Sequence, residues 1–120
     1  MIALTTAPAL AADWSKAQRV TVVTVEYAFK PADLTFHVGA VYRLHIENKG
    51  KETHEFTAPD FFKTIDIRDP KPLNADHTEI VVQPGEKKDF YFVPNQGGSF
   101  DLRCSDHDWA GMVGHITVAQ

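Results

Sequence analysis

Cysteine is almost absent from this chain: of 120 residues, Cys104 alone carries a thiol. No disulfide can form within the chain, so a disulfide-stapled scaffold is excluded and the fold must rest on a hydrophobic core. Positive charge is scarce as well. Lys and Arg number 12 against 16 Asp and Glu, a formal charge of −4. With no Lys/Arg stripe to neutralise phosphates, nucleic-acid binding is not expected. No apolar run approaches the ~18 residues of a membrane-spanning helix, so a soluble mature protein is expected. Low-complexity linkers, long heptad runs and internal repeats are also lacking, and 120 residues suit one compact domain.

What is present is enough for a core: 43% of residues are hydrophobic and 23% charged. The first twelve residues read MIALTTAPALAA, small, apolar and uncharged, and give way to the polar Asp13-Trp14-Ser15. Ala9-Leu10-Ala11 fits the small-residue rule of a signal-peptidase site, although the basic leading region is missing and the apolar run is short. Residues 1–12 are therefore read as the tail of an export signal or a flexible N-terminus, and 13–120 as the folded domain of an exported protein. A loose Ala-rich terminus of a cytosolic protein is the alternative. In an oxidising compartment a lone cysteine is a free thiol or is occupied otherwise, and a metal would protect it.

Along the chain, short alternating segments recur between turn residues, which is the signature of strands. Val20 to Val25 is apolar on both faces and reads as a strand buried on both sides. Leu34 to Val38, Val41 to Glu47, Glu79 to Val82, Lys88 to Val93, Ser99 to Cys104 and Val113 to Val118 follow, separated by turns such as Asn48-Lys49-Gly50 and Gln83-Pro84-Gly85-Glu86. Thr57 to His77, with three prolines, reads as a long connection with one helical turn near Asp60 to Lys63. The pattern predicts an all-β, antiparallel Greek-key sandwich of about seven or eight strands, with a closed barrel as the nearest rival.

Chemistry concentrates in Cys104-Ser105-Asp106-His107-Asp108-Trp109-Ala110-Gly111-Met112, a tight loop between two strands. A thiolate, an imidazole and a thioether in one loop suit a copper ion that cycles between +1 and +2: sulfur favours the reduced ion and imidazole tolerates both. A further ligand is expected from elsewhere, and His54, after the Asn48-Lys49-Gly50 turn, is the candidate. Coming from a distant strand, it would tie the two sheets together.

These residues resemble the cupredoxins, plastocyanin and pseudoazurin above all. Cys, His and Met recur there at this spacing, and Gly111-Met112-Val113-Gly114 matches residue for residue. Asn48-x-Gly50 before His54, Phe29-Lys30-Pro31 and Gln83-Pro84-Gly85-Glu86 are similar to the family's other common segments. The resemblance runs from about Val20 to Val118. It implies a cupredoxin-like sandwich holding one copper ion through His54, Cys104 and His107, with Met112 as axial ligand. Two positions depart from the family. Glu55 stands where an Asn often follows the first histidine, and Asp106 stands where Pro often precedes the loop histidine. Both bear on potential, colour and partner surface.

Each residue also has a plainer reading. Cys104 could be an inert buried thiol or half of a Cys–His nucleophile pair, though no orienting Asn or oxyanion loop accompanies it. Met112 could be ordinary core. His37, His45, His77 and His115 read as solvent-facing or capping residues. Glu55 should point away from the metal and sit at the surface, since strand neighbours face opposite ways. Trp109, Ala110 and Val113 read either as an apolar rim around His107, which the cupredoxin resemblance implies is a docking face, or as a Trp that only packs against the loop; Asp106 and Asp108 flank His107.

The resulting expectation is a periplasmic one-electron carrier, not an enzyme. Its partner would be a c-type cytochrome with a lysine-bearing rim, or a copper reductase or oxidase. Copper tolerance or delivery with the same ligands is the alternative, as is a red-copper-type site with an open coordination position. Zinc suits the same four groups. A dinuclear copper centre would need a second cysteine.

Overall fold

Alternating segments of four to eight residues are too short for stable helices and must satisfy their backbone groups by pairing. The computed structural model describes residues 11–120. The export-signal reading of residues 1–12 thus lies outside the described residues, apart from Ala11 and Ala12.

Among the described residues, ten strands build two sheets. They are β1 (Gln18–Val25), β2 (Ala28–Lys30), β3 (Asp33–His37), β4 (Tyr42–Asn48), β5 (His54–Thr57), β6 (Ile65–Ile67), β7 (Glu79–Val82), β8 (Lys87–Pro94), β9 (Gly98–Arg103) and β10 (Val113–Ala119). One sheet runs β2-β1-β4-β8-β6 and the other β3-β10-β9-β5-β7. From β2 onward the chain crosses repeatedly between the sheets, the Greek-key sandwich that was expected. The strand count exceeds the expected seven or eight because β2 and β6 are three-residue segments. Such segments are too short to alternate visibly. Pairing is mixed rather than purely antiparallel, since β1 runs parallel to β4 and β3 parallel to β10.

The core lies between the sheets. Phe36, Phe56, Phe61, Phe90 and Phe92 are fully buried. Phe92 meets Phe36 and Phe61 edge-on, at centroid distances of 5.1 and 5.5 Å, a geometry that adds to their area burial. Phe61 comes from the long connection. There Pro59 opens a four-residue helix, α1 (Pro59–Phe62), close to the expected turn, and Phe61 and Phe62 fold inward from it. β1 is covered on one face only: Val22 and Thr24 are buried, whereas Thr21 is exposed and Val23 and Val25 are half-buried.

His45 departs from the solvent-facing expectation. It is 5% exposed and lies between two carboxylates, with Nδ1 2.7 Å from Asp89 and Nε2 3.1 Å from Glu47. Strand alternation placed it correctly on the polar face, but the ionic groups of β4 and β8 close over that face. Arg43 completes the network on Asp89 at 2.9 Å. His37, His77 and His115 are exposed, as expected.

Candidate metal centre

The order β10-β9-β5 within one sheet sets three chain ends side by side. His54 opens β5, Cys104 follows β9, and Met112 precedes β10. His54 therefore does not bridge the two sheets as the sequence suggested. It stands in the same sheet as the loop, because β5 is the strand beside β9, the two meeting at Thr57 and Arg103.

At this end of the sheet the two imidazoles face the thiol. Cys104 Sγ lies 3.4 Å from His107 Nδ1 and 3.9 Å from His54 Nδ1. Donor atoms of His54, Cys104 and His107 all fall within 4.8 Å of one another. His54 and Cys104 have no exposed surface and His107 is 9% exposed. Met112 is fully buried in the same loop.

Backbone bonds hold the loop before any ion arrives. Cys104 N donates to Met112 O at 3.0 Å, closing the loop's mouth. His107 N donates to Cys104 O, and Ala110 N to His107 O, each at 3.0 Å. A single 3₁₀ turn, Asp108–Ala110, ends on Gly111 at φ +84°, a left-handed conformation that favours glycine. The family-like Gly111-Met112 pair thus turns the chain so that Met112 goes inward.

The upstream segment is held as firmly. Buried Asn48 accepts from Gly50 N at 2.8 Å, and its amide donates to Glu52 O and Val82 O at 2.8 and 2.9 Å. The Asn48-x-Gly50 signal is therefore an Asx turn that sets His54 at the start of its strand.

Glu55 is where expectation and structure part. It is 5% exposed rather than at the surface, and its Oε2 lies 3.0 Å from Cys104 Sγ, which donates to it. Its backbone N also donates to Sγ at 3.3 Å. Its carboxyl thus turns toward the thiol instead of pointing away from the site, and Asp106 lies close enough to act on it. Burial first, then the nearby Asp106, pushes the Glu55 carboxyl up to about 7. Burial, augmented by the Glu55 carboxylate, pushes the Cys104 thiol up to about 11. Burial lowers His54, against the opposing pull of Glu26, so this imidazole is neutral near pH 7 with a lone pair to donate.

The sequence reading missed three residues at the site. Tyr27, in the β1–β2 turn, lays its ring 4.9 Å from that of His107 and 6.1 Å from that of Trp109. Glu26 Oε1 lies 3.6 Å from His54 Nε2, and Glu52 Oε1 lies 3.5 Å from His107 Nε2. The second sheet thus reaches the site through the 26–27 turn. Glu52 lies in the bend two residues before His54, outside β5, and nothing local in the sequence announces Glu26 or Tyr27. Trp109 and Val113 are 77% and 52% exposed, and Trp109 is linked to His107 through the ring of Tyr27.

The donor set fits a copper ion on its own chemistry. One sulfur and the Nδ1 atoms of two imidazoles converge in a buried space, with a thioether in the same loop, and the loop's own hydrogen bonds fix it. His54 Nε2 is one of two buried side-chain nitrogen or oxygen atoms without a hydrogen-bond partner among the described residues.

Comparison with known proteins gives a consistent picture. No curated protein matches the chain. Among solved structures, the fold is similar to dithionite-reduced auracyanin from the photosynthetic bacterium Roseiflexus castenholzii, with a TM-score of 0.65 and 20% identity, covering 87% of this chain and 99% of that one. Auracyanin B gives a TM-score of 0.62 at 20% identity, covering 98% and 94%. A multicopper oxidase from Campylobacter jejuni gives 0.66 at 15% identity, covering all of this chain but 34% of that one. At such identities these likenesses concern the fold. The family model described as cupredoxin-like domain matches residues 1–118, and the chain belongs to that family.

Proposed function

We propose that the protein is an exported, periplasmic carrier of single electrons that holds one copper ion through His54, Cys104 and His107, with Met112 as the weak fourth donor. One observation carries the reading: the Nδ1 atoms of two imidazoles, from β5 and from the 104–112 loop, face one buried sulfur. Copper bound there would supply a one-electron couple between +1 and +2. The chain's own part is to hold the donors still. The Cys104–Met112 and His107–Cys104 backbone bonds and the Asn48 turn fix both ligand segments, so little need move when an electron arrives.

Electrons would enter and leave at the His107 edge, beneath Tyr27 and Trp109. Exposed Glu52, Asp106 and Asp108 surround this edge, which supports a partner with a basic rim such as a c-type cytochrome. The test is addition of Cu(II) to the purified metal-free protein. An intense thiolate-to-copper band in the visible spectrum, reversibly bleached by one electron and abolished in Cys104→Ser, is expected. A spectrum without that band overturns the reading.

A second reading has one observation in its favour. The Glu55 carboxyl beside Sγ could join the donor set in place of Met112, giving a red-copper-type site. In that case Glu55→Gln would change the copper spectrum strongly and Met112→Leu hardly at all. The first reading expects the larger change from Met112→Leu.

A further inference from the structure

His54 Nδ1 faces the sulfur, so a neutral ring that offers this nitrogen's lone pair to a metal carries its proton on Nε2. That nitrogen is buried and has no hydrogen-bond partner among the described residues. What faces it is the Glu26 carboxylate, with Oε1 at 3.6 Å. The second imidazole repeats the arrangement: His107 Nδ1 faces the thiol, and its Nε2 lies 3.5 Å from Glu52 Oε1. Two carboxylates therefore stand behind two imidazoles, each on the side away from the sulfur.

We propose that Glu26 and Glu52 are positioning residues of the copper site, each accepting a hydrogen bond from the Nε2–H of one imidazole so that both Nδ1 lone pairs stay aimed at the metal position beside the sulfur. The inference rests on the copper reading above. Histidines that ligate metals commonly donate their other ring N–H to a carboxylate, which fixes the tautomer and raises the basicity of the ligating nitrogen. Here both separations are a few tenths of an ångström beyond an N–H···O bond.

Glu26 is built in for this task. Its Oε1 accepts from Lys51 N and, at 2.7 Å, from Glu52 N, which bolts it to the turn just before His54. Gly50 is what admits it, because a Cβ there would lie 2.6 Å from Glu26 Oε2. Glu26 reaches across from the other sheet, at the end of β1. The pair is unequal. The His54 side chain has no exposure and Glu26 is 26% exposed, whereas Glu52 is 45% exposed and water can take its place. Glu26 should therefore matter more.

The test compares wild type with Glu26→Gln, Glu52→Gln and, as a charge control on β6 outside this cluster, Asp66→Asn. Copper(II) is titrated against a competing chelator and the reduction potential is measured for each. Glu26→Gln should lower copper(II) affinity about ten- to a hundred-fold and Glu52→Gln less. The potential should rise in the same order, since a nearby negative charge favours the more highly charged oxidised ion. The glutamine oxygen still accepts from Lys51 and Glu52, so a purely structural role for Glu26 would leave the potential at its wild-type value. A second readout needs no variant. In the copper(I) protein, nitrogen NMR should find His54 protonated at Nε2 with a slowly exchanging proton. Affinities and potentials equal to those of Asp66→Asn, or a His54 protonated at Nδ1, overturn the inference. Wild-type protein without the thiolate-to-copper band overturns the copper reading itself, and this inference with it. A wild-type band with indifferent variants sinks the positioning role alone.

Discussion

Cys104 Sγ and Glu55 Oε2 lie 3.0 Å apart, and neither residue has more than 5% of its surface exposed. A thiol donating to a carboxylate in such a place makes two acids share one poorly solvated site. The consequence is a stability that depends on pH. Burial, with Asp106 adding to it, raises the Glu55 carboxyl from 4.5 to about 7. The folded protein therefore binds more protons than the unfolded chain between these values, and stability falls as pH rises through that window. His54 acts in the opposite sense, because burial lowers it. Glu55→Gln isolates the carboxyl. Chemical unfolding of the metal-free proteins at pH 5 and pH 8 should show the wild type losing on the order of 1–3 kcal/mol more than the variant across that interval. Equal losses would count against a shared proton.

Metal uptake must displace the proton on sulfur. Burial above all holds the Cys104 thiol at about 11, so at pH 6 it is fully protonated in the metal-free protein, and only the thiolate is a ligand. Calorimetric titration with copper(I) in two buffers of different ionisation enthalpy counts the protons released. Wild type should release about one more than Cys104→Ser at the same pH. An unchanged count would place the metal away from the sulfur.

Much of the site was legible because it is written locally. Cys104, His107 and Met112 share one loop whose geometry depends on its own backbone bonds and on Gly111, so spacing carries the information. Asn48-x-Gly50 is legible for the same reason, since an Asx turn is a local device. The illegible parts are long-range. Alternation predicted surface positions for Glu55 and His45, but not what covers them. Asp106 folds over one, and Asp89 with Glu47 encloses the other. Glu26 and Tyr27 reach the site across the sandwich, and only the packing of one sheet on the other brings them there.

Asn48 offers a test of how far the fold prepares the site without metal. Its side chain makes three hydrogen bonds from a position 2% exposed, to Gly50, Glu52 and Val82. Asn48→Ala strands all three backbone partners, at a cost of about 2–4 kcal/mol in the unfolding of the metal-free protein. Asn48→Asp retains the bond from Gly50 N and should lose less. If Asn48→Ala unfolded like wild type, the turn would not be what positions His54.

The surface above His107 makes a prediction about speed rather than stability. Trp109 is 77% exposed, yet its indole N donates to Asp106 O at 2.8 Å and its ring lies 6.1 Å from that of Tyr27, so it is held rather than loose. An exposed aromatic fixed against Tyr27, whose own ring lies on that of His107, is suited to contact with a partner. Trp109→Ala should slow electron exchange with a basic c-type cytochrome severalfold while leaving the copper spectrum in place. Asp106 and Asp108 act earlier, on encounter. Opposite charges steer association at a rate that falls with ionic strength, and rim charges change the association rate more than the bound state. The pair Asp106→Lys and Asp108→Lys should therefore flatten or invert the salt dependence of the bimolecular rate. At high salt, where screening removes the difference, the rate should approach that of the wild type. Stopped-flow mixing at several ionic strengths checks both. A salt dependence identical to wild type would mean that the acidic rim takes no part in recognition.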